Sequence, residues 1–254
     1  MLRTATKKLL HAAGFELKRV NPESSQAAQQ YKFAPSEEDK FNWLKNLNIR
    51  TVLDIGANTG QFAIDIHAIL PEAMIYSFEP LKDCYQSLVE SMKHVQNFRA
   101  FDFALGEETS DIEMHRSEFS PSSSILPMGE LHKQAFPFTS GEVLEKIVVK
   151  RLDDIADSLK LVDNLLIKID VQGFEDRVIA GGRQTIQRAT VLIVEMSFRR
   201  LYEGQPLFDT IYDTLRQMGF AYHGNFIQLL NPVDGSVLQA DGIFMKANQQ
   251  VAIP

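Results

Sequence analysis

Short apolar segments alternate with longer amphipathic ones from residue 50 onward, and this alternation restricts the fold more than any other feature of the chain. The apolar segments that predict strands are TVLDI at 51–55, MIYSF at 74–78, FRAFDFALG at 98–106, NLLIKIDVQG at 164–173 and ATVLIVEMS at 189–197. Segments between them have helical periodicity: QFAIDIHAIL at 61–70, DCYQSLVESMKHV at 83–95 and EDRVIAGGRQTIQ at 175–187. Apolar strands connected by helices require a mainly parallel sheet that is covered on both faces. The sequence therefore predicts an α/β fold with a doubly wound sheet.

Two further strands are predicted near the end of the chain. They follow the amphipathic segment PLFDTIYDTLRQMG, a predicted helix that Gly219 ends. The strands FAYHGNFIQLL at 220–230 and ADGIFMKA at 240–247 have no helix between them. We therefore expect an antiparallel hairpin at one edge, which brings the predicted sheet to seven strands.

The segment between Gly106 and Leu165 interrupts the alternation. It is rich in Ser and Pro, yet it carries large apolar side chains, as in SPSSSILPMGELHKQAFPF. Long excursions of this kind are usually lids or substrate-binding loops. We predict a lid over about residues 107–147, followed by an extra strand in EKIVVKRLDDI that returns to the sheet.

The first 35 residues read as an N-terminal extension and linker ahead of a domain over 36–250. Ser36 is a predicted helix N-cap because three acidic residues follow it in the first turn. Phe41, Leu44 and Leu47 then lie at helical spacing and would pack on the core.

Charge and cysteine content limit the partners. The chain has 33 acidic and 26 basic residues, a net charge of -7, which repels phosphate backbones, so nucleic acid is not an expected partner. The single cysteine excludes an intrachain disulfide, and no apolar run reaches transmembrane length. We expect a cytoplasmic protein. The sequence leaves open its oligomeric state and the role of the basic residues at its start.

A glycine-rich turn, GANTG at 56–60, joins the first predicted strand to the first helix. Glycines let a ligand approach the backbone, and the helix N-terminus offers free N–H donors at the carboxyl edge of the sheet. The dinucleotide-binding pattern needs a glycine where this chain has Asn58, and the Lys and Ser/Thr of a P-loop are absent. The loop therefore favours a ligand without phosphate groups.

Acidic residues lie at the ends of three successive predicted strands. Asp54 suits a cationic ligand such as S-adenosylmethionine, which has an ammonium, a sulfonium and no phosphate. Glu79 is placed to accept hydrogen bonds from both ribose hydroxyls, and Asp102 from the adenine amino group. Singly, each acid could instead be a helix cap or an ordinary loop residue. The predicted cofactor contacts are Asp54, Gly56, Asn58, Gly60, Phe62, Glu79, Pro80, Asp102 and Phe103.

Several motifs together resemble the FkbM family of methyltransferases. They are DIGANTGQF at 54–62, SFEP at 77–80, ALG at 104–106, KIDVQGFE at 168–175, SSSILPM at 122–128 with His132, VVKRLD at 148–153 and LYEGQ at 201–205. The resemblance runs in order over about residues 50–246. It implies the class I methyltransferase fold, S-adenosylmethionine as cofactor and O-methylation of a sugar, glycan, or glycosylated or polyketide metabolite. The family often has Glu where this chain has Gln172, so a catalytic role there is in question.

The fourth and fifth strands and the lid supply the predicted catalytic residues. Amino-group methyltransferases of nucleic acids carry an Asn/Asp-Pro-Pro-aromatic run after the fourth strand, and this chain has Asp-Val-Gln-Gly there. A sugar hydroxyl is a poor nucleophile, so a nearby base would assist it. The candidates are Asp170, Lys168, Glu175, Glu195 and His132.

Asp170 is favoured among these by its position beside the first strand, and His132 by an ordinary pKa near neutrality. An exposed histidine without a role is the alternative for His132. Asp170 and Glu195 could share Mg²⁺, but two carboxylates are a weak signal, so no metal is expected.

The acceptor is predicted to contact Tyr202, Gln205 and Ser123, although Tyr202 could instead pack under the lid. Two other functions stay open. One is a nicotinamide-dependent oxidoreductase, which Asn58 disfavours. The other is a non-catalytic module that binds S-adenosylmethionine.

Overall fold

The computed structural model of this chain describes residues 41–247. It confirms a seven-stranded, mainly parallel sheet. The strands of this sheet are β1 (Thr51–Ile55), β2 (Met74–Phe78), β3 (Phe98–Phe101), β7 (Leu165–Ile169), β8 (Ala189–Ser197), β9 (Phe220–Leu230) and β10 (Val237–Lys246). Their order in the sheet is β3-β2-β1-β7-β8-β10-β9. The order reverses beside β1, because β2 lies on one side of it and β7 on the other. Ligands of open α/β sheets bind at such a point.

Helices cover both faces of this sheet. The helices are α1 (Gln61–Ile69), α2 (Lys82–Met92), α3 (Glu130–Ala135), α4 (Leu152–Ile155), α5 (Glu175–Gly181), α6 (Arg183–Gln187) and α7 (Phe208–Gln217). Helices α1 and α2 pack with Val52 in one apolar cluster, whereas α5, α6 and α7 pack with Leu53 in another. Adjacent residues of one strand point to opposite faces, so β1 contributes to both clusters. Its five residues are all buried, as a doubly covered strand requires.

The closing strands form the expected antiparallel hairpin, and β10 also pairs antiparallel with β8. Gly219 has a φ of 89° just after α7, as a left-handed helix end requires. Because β10 runs opposite to β8, the start of β10 lies at the carboxyl edge of the parallel strands. Asp241 of β10 is thereby placed opposite Glu195 of β8.

The structure corrects the interpretation of the segment 98–155. The predicted third strand breaks after Phe101, and β4 (Ala104–Leu105) belongs to a separate three-stranded sheet. That sheet also holds β5 (Ser110–Ser117) and β6 (Glu142–Lys150) in the order β4-β6-β5, so the extra strand does not return to the main sheet. Strand β5 was not predicted, because polar and apolar residues mix in it. The segment between β5 and β6, residues 118–141, is called the lid below.

Two smaller corrections concern helices. The predicted helix at 175–187 is divided at Gly182 into α5 and α6. Residues Asn42–Leu47 form a 3-10 helix rather than an α-helix. The predicted extension at 1–35 and the Ser36 cap lie outside the described residues. Between residues 41 and 247, no helix combines the length and apolar character that crossing a bilayer requires.

Candidate active site

The glycine-rich loop after β1 lies directly against the residue that follows β7. Gly56 has a φ of 82°, and a Cβ atom there would lie 1.8 Å from the carbonyl oxygen of Asp170. The Asp170 N–H donates to the Ile55 carbonyl at 3.0 Å. Only glycine allows both this backbone conformation and this close approach. The predicted cofactor loop and the favoured catalytic residue are therefore neighbours.

Asp54 is fully buried below this loop. Its Oδ2 accepts a hydrogen bond of 3.1 Å from the Ser77 hydroxyl, whereas its Oδ1 is buried with no hydrogen-bond partner among the described residues. Burial raises the pKa of Asp54 to about 6, although the Lys168 ammonium acts to lower it. A buried carboxylate oxygen without a donor is costly, and a ligand that brings a donor or positive charge would remove that cost.

Glu79 holds the loop from the end of β2. Its two oxygens accept hydrogen bonds of 2.8 Å from the backbone N–H groups of Asn58 and Leu81. Burial raises the pKa of Glu79 to about 7 against the lowering effect of these donors. Each carboxylate oxygen keeps a further lone pair, so the residue can still accept ribose hydroxyls. Pro80, which follows it, is half-buried.

The remaining predicted cofactor residues fall into different environments. The Asn58 Oδ1 accepts from the Ser120 hydroxyl of the lid at 3.2 Å, and Gly60 begins α1. Phe62 is buried in the core, with the Lys168 ammonium 5.6 Å from its ring centre. Asp102 is exposed just after β3, at the same edge of the sheet. Phe103, beside it, packs its ring against Phe78 at 5.8 Å.

Three carboxylates converge next to this loop. Oxygen atoms of Asp170, which follows β7, of Glu195 in β8 and of Asp241 in β10 lie within 4.8 Å of one another. Burial and the charge of Asp170 raise the pKa of Glu195 well above its ordinary value. Asp241 is not among the residues predicted from the sequence. An acid within the otherwise apolar ADGIFMKA was the available signal, but its partner β8 is fixed only by the sheet order.

Lys168 and Gln172 donate to this carboxylate cluster. The Lys168 ammonium lies 2.7 Å from the Asp170 Oδ2. Burial acts to lower the pKa of Lys168, but the charges of Asp170, Asp241 and Asp54 raise it above its ordinary value, so it stays cationic. The Gln172 amide nitrogen lies 2.9 Å from the Asp170 Oδ1 and 2.9 and 3.0 Å from the Glu195 oxygens.

Glu175, a further candidate base, supports the turn after β7. Its Oε1 accepts from the backbone N–H groups of Val171 at 3.2 Å and Gly173 at 3.0 Å. Burial raises its pKa to about 7. These two hydrogen bonds connect Glu175 to the backbone of the turn beneath the cluster, so its contacts are structural.

His132 is buried, contrary to the alternative of an exposed side chain. It lies on α3 of the lid with 3% of its surface exposed, between the rings of Phe136 and Tyr202 at 5.5 and 5.2 Å. Burial lowers its pKa to about 4, so it is neutral at pH 7. Aromatic rings flank the imidazole, and its buried Nδ1 has no hydrogen-bond partner among the described residues.

The three predicted acceptor contacts are buried within the lid and the loop after β8. The Tyr202 hydroxyl lies 2.9 Å from the Gln172 Oε1 and 3.1 Å from the Ser122 carbonyl oxygen. The Gln205 side chain accepts a hydrogen bond from the Tyr202 N–H and donates one to the Ser197 hydroxyl. In the lid, the Ser123 hydroxyl accepts a hydrogen bond of 3.0 Å from the Ser117 N–H. This geometry favours the alternative in which Tyr202 packs under the lid.

Comparisons with known proteins find one matching family and two similar methyltransferases. The family model described as Methyltransferase FkbM domain matches residues 54–222. The 2-O-methyltransferase NoeI of Sinorhizobium fredii is 32% identical over 172 residues, 65% of this chain and 70% of that protein. Methyltransferase 1 of Beauveria bassiana is 26% identical over 165 residues, 59% of this chain and 61% of that protein. A solved magnesium protoporphyrin IX methyltransferase from Synechocystis PCC 6803 is 13% identical, with 96% of both chains covered and a TM-score of 0.45.

Proposed function

The chain belongs to the FkbM family of methyltransferases, and on that premise we propose that it transfers a methyl group to a hydroxyl of a sugar, glycan, or glycosylated or polyketide metabolite. The contact between Gly56 and Asp170 supports this proposal most directly, because it joins the cofactor loop to the carboxylate cluster. The relative from Sinorhizobium fredii, described as a 2-O-methyltransferase, supports oxygen as the acceptor atom.

The residues after β1 and β2 fit S-adenosylmethionine. The unpartnered Oδ1 of Asp54 suits a donor from a cationic ligand, and the free lone pairs of Glu79 suit ribose hydroxyls. Gly56 lets the loop approach the Asp170 carbonyl, where a side chain would force the two segments apart. We infer that Asp54, Glu79 and the GANTG loop hold this cofactor, whose sulfonium supplies an electrophilic methyl group.

The carboxylate cluster supplies a base for the acceptor. Bound S-adenosylmethionine would supply the methyl group to the acceptor oxygen and would leave as S-adenosylhomocysteine, and the hydroxyl proton would pass to an oxygen of Glu195 or Asp170. A carboxylate with a raised pKa, as at Glu195, accepts a proton near neutral pH better than an ordinary one. Lys168 balances part of the negative charge and stays protonated. The lid excludes water from the reacting groups.

A metal ion is not required by this proposal. The cluster of Asp170, Glu195 and Asp241 offers three oxygen ligands. However, Lys168 already donates to Asp170, and Gln172 donates to both Asp170 and Glu195, which supplies part of the compensation that a cation would otherwise provide. We further propose a small-molecule acceptor in the cytoplasm rather than nucleic acid, because the net charge of -7 opposes binding of phosphate backbones.

A binding and transfer experiment tests the proposal. S-adenosylhomocysteine is expected to raise the melting temperature and NADH is not. Asp54→Ala and Glu79→Ala should abolish the shift, whereas Asp157→Ala and Glu72→Ala, at exposed positions, should keep it. Transfer of labelled methyl to a panel of neutral glycans and glycosylated metabolites identifies the acceptor. Binding without transfer to any hydroxyl compound would favour a non-catalytic module and contradict the proposed activity.

A further inference from the structure

Gln172 lies at the centre of the site, yet the proposed chemistry assigns it no step. It lies in the turn between β7 and α5 with a φ of 54°, followed by Gly173 with a φ of 98°. A left-handed conformation is unfavourable for a side chain such as glutamine, and it persists where surrounding contacts impose it. The contacts around Gln172 therefore hold it in this conformation.

The two hydrogens of the Gln172 amide are directed at the two candidate bases. One N–H points to Asp170 Oδ1 at 2.9 Å, and the other lies between the two Glu195 oxygens at 2.9 and 3.0 Å. Ionised carboxylates only accept hydrogen bonds, so the amide nitrogen and not the amide oxygen must face them. The amide thus bridges two carboxylates that would otherwise repel each other.

The lid fixes the other side of the same residue. The Tyr202 hydroxyl lies 2.9 Å from the Gln172 Oε1 and so determines which way the amide faces. The Ser124 hydroxyl of the lid donates to the Gln172 carbonyl at 2.6 Å, and the Ser122 carbonyl lies 3.1 Å from the Tyr202 hydroxyl. Backbone and side chain of Gln172 are both held when the lid is docked.

We propose that Gln172 is a positioning residue, through which the docked lid and Tyr202 hold the carboxylates of Asp170 and Glu195 side by side to receive the acceptor proton. The inference rests on the proposed function. It predicts that lid docking and formation of the competent base occur together, because the same side chain takes part in both. Loss of the amide would leave the cofactor site after β1 and β2 unchanged.

A neutral donor is essential to this role. Charged and titratable groups face the pair from every side: Asp54, Lys168, Glu175, Asp241 and Tyr202. Gln172→Glu would add a further carboxylate within hydrogen-bond distance of two others. Like charges at that distance raise the pKa of the acids, so the base would ionise only at higher pH. Gln172→Met keeps the length of the side chain and removes both donors.

The experiment measures kcat, KM and the pH profile of methyl transfer for Gln172→Met, Gln172→Glu and Tyr202→Phe. We expect Gln172→Met to lower kcat by about tenfold or more with an unchanged KM for S-adenosylmethionine. Gln172→Glu should move the ascending limb of kcat by about one pH unit or more to higher pH. Tyr202→Phe should lower kcat less, because the amide loses its orientation but keeps its donors. Gln187→Met and Gln187→Glu, at an exposed position of α6, are the matched controls.

Melting curves at several pH values test the same cluster without turnover. The new carboxyl in Gln172→Glu should have a raised pKa in the folded state, so its stability relative to Gln187→Glu should fall as pH rises through that pKa. The role of Gln172 would be contradicted if folded Gln172→Met kept the kcat and pH profile of the wild type. It would also be contradicted if the melting temperatures of Gln172→Glu and Gln187→Glu depended equally on pH. A wild-type chain that binds S-adenosylhomocysteine but transfers no methyl would instead contradict the proposed function, and the melting curves would still decide on Gln172.

Discussion

The backbone of Gly56 lies against the main-chain carbonyl of Asp170, so close that a Cβ atom at position 56 would come within 1.8 Å of that oxygen. The loop that follows β1 and the turn that follows β7 are thus packed together at the point where the sheet order reverses. The proposed cofactor loop and one proposed base are thus joined by a contact between segments more than a hundred residues apart in the sequence.

Gly56→Ala should therefore be severely destabilising. The new methyl group would force the β1 and β7 loops apart, and the φ of 82° is unfavourable for alanine. We expect a loss of about 2 kcal/mol or more in the free energy of unfolding, together with loss of S-adenosylhomocysteine binding. Gly204→Ala is the matched control, because its φ is 75° but nothing lies within 4 Å of its added Cβ. Equal losses in the two variants would contradict the steric explanation.

Binding of S-adenosylmethionine should weaken in acid. Burial raises the pKa of Asp54 to about 6 and that of Glu79 to about 7, so both carboxylates gain protons as the pH falls from 8 to 5.5. The cationic ligand prefers the ionised forms, and its affinity should fall about tenfold over this range. Calorimetry in buffers of different ionisation enthalpy should show protons released on binding near pH 6. A Kd that is independent of pH would contradict these shifts, and Asp54→Asn should reduce the dependence.

The carboxylate cluster should govern turnover and not cofactor binding. Glu195→Gln and Asp170→Asn remove a proton acceptor while preserving shape, so kcat should fall by about 10² or more. The melting shift with S-adenosylhomocysteine should persist, because Asp54 and Glu79 are intact. Lys168→Met is expected to lower stability as well, since it leaves the cluster without its ammonium. If Glu195→Gln keeps full kcat while Asp170→Asn does not, Asp170 alone is the base.

His132 should affect stability in acid more than it affects catalysis. Burial lowers the pKa of His132 to about 4, below its ordinary value of 6.5. As the pH falls, this histidine is therefore protonated in the unfolded chain before it is protonated in the folded protein. The stability that the neutral ring contributes is present above pH 6.5 and is lost as the pH falls toward 4. His132→Phe keeps the ring contacts with Phe136 and Tyr202 and should melt at a more constant temperature over this range. A kcat that falls by about 10² in this variant would restore His132 as the base.

Chelation should leave methyl transfer intact. Lys168 donates to Asp170, Gln172 donates to Asp170 and Glu195, and the Lys168 charge also interacts with Asp241, so we expect that no cation is needed to hold these carboxylates together. After dialysis against EDTA, activity should stay within about twofold of the untreated protein, and added Mg²⁺ should not raise it. Activity that disappears with EDTA and returns with Mg²⁺ would show instead that the three oxygens bind a metal.

The sequence by itself determined the main sheet and the cofactor loop. The alternation of apolar strands and amphipathic helices is a local periodicity, and burial on two faces follows from it. Asp54, the GANTG turn and Glu79 were predicted together because each lies at the carboxyl end of a strand, and parallel strands bring those ends to one edge. The hairpin of β9 and β10 was predictable because no helix separates its strands.

Only the tertiary structure decided the acceptor side of the site. Asp241 joins Asp170 and Glu195 through the pairing of β10 with β8, a register that no local pattern specifies. The mixture of Ser, Pro and apolar residues predicted a lid, but the burial of His132 and Tyr202 could not be predicted, since segments distant along the chain supply the apolar surface that covers them. Periodicity in the sequence indicates which face of a helix or strand is buried. Contacts between distant segments determine which residues that face packs against, and the proposed catalytic geometry depends on such contacts.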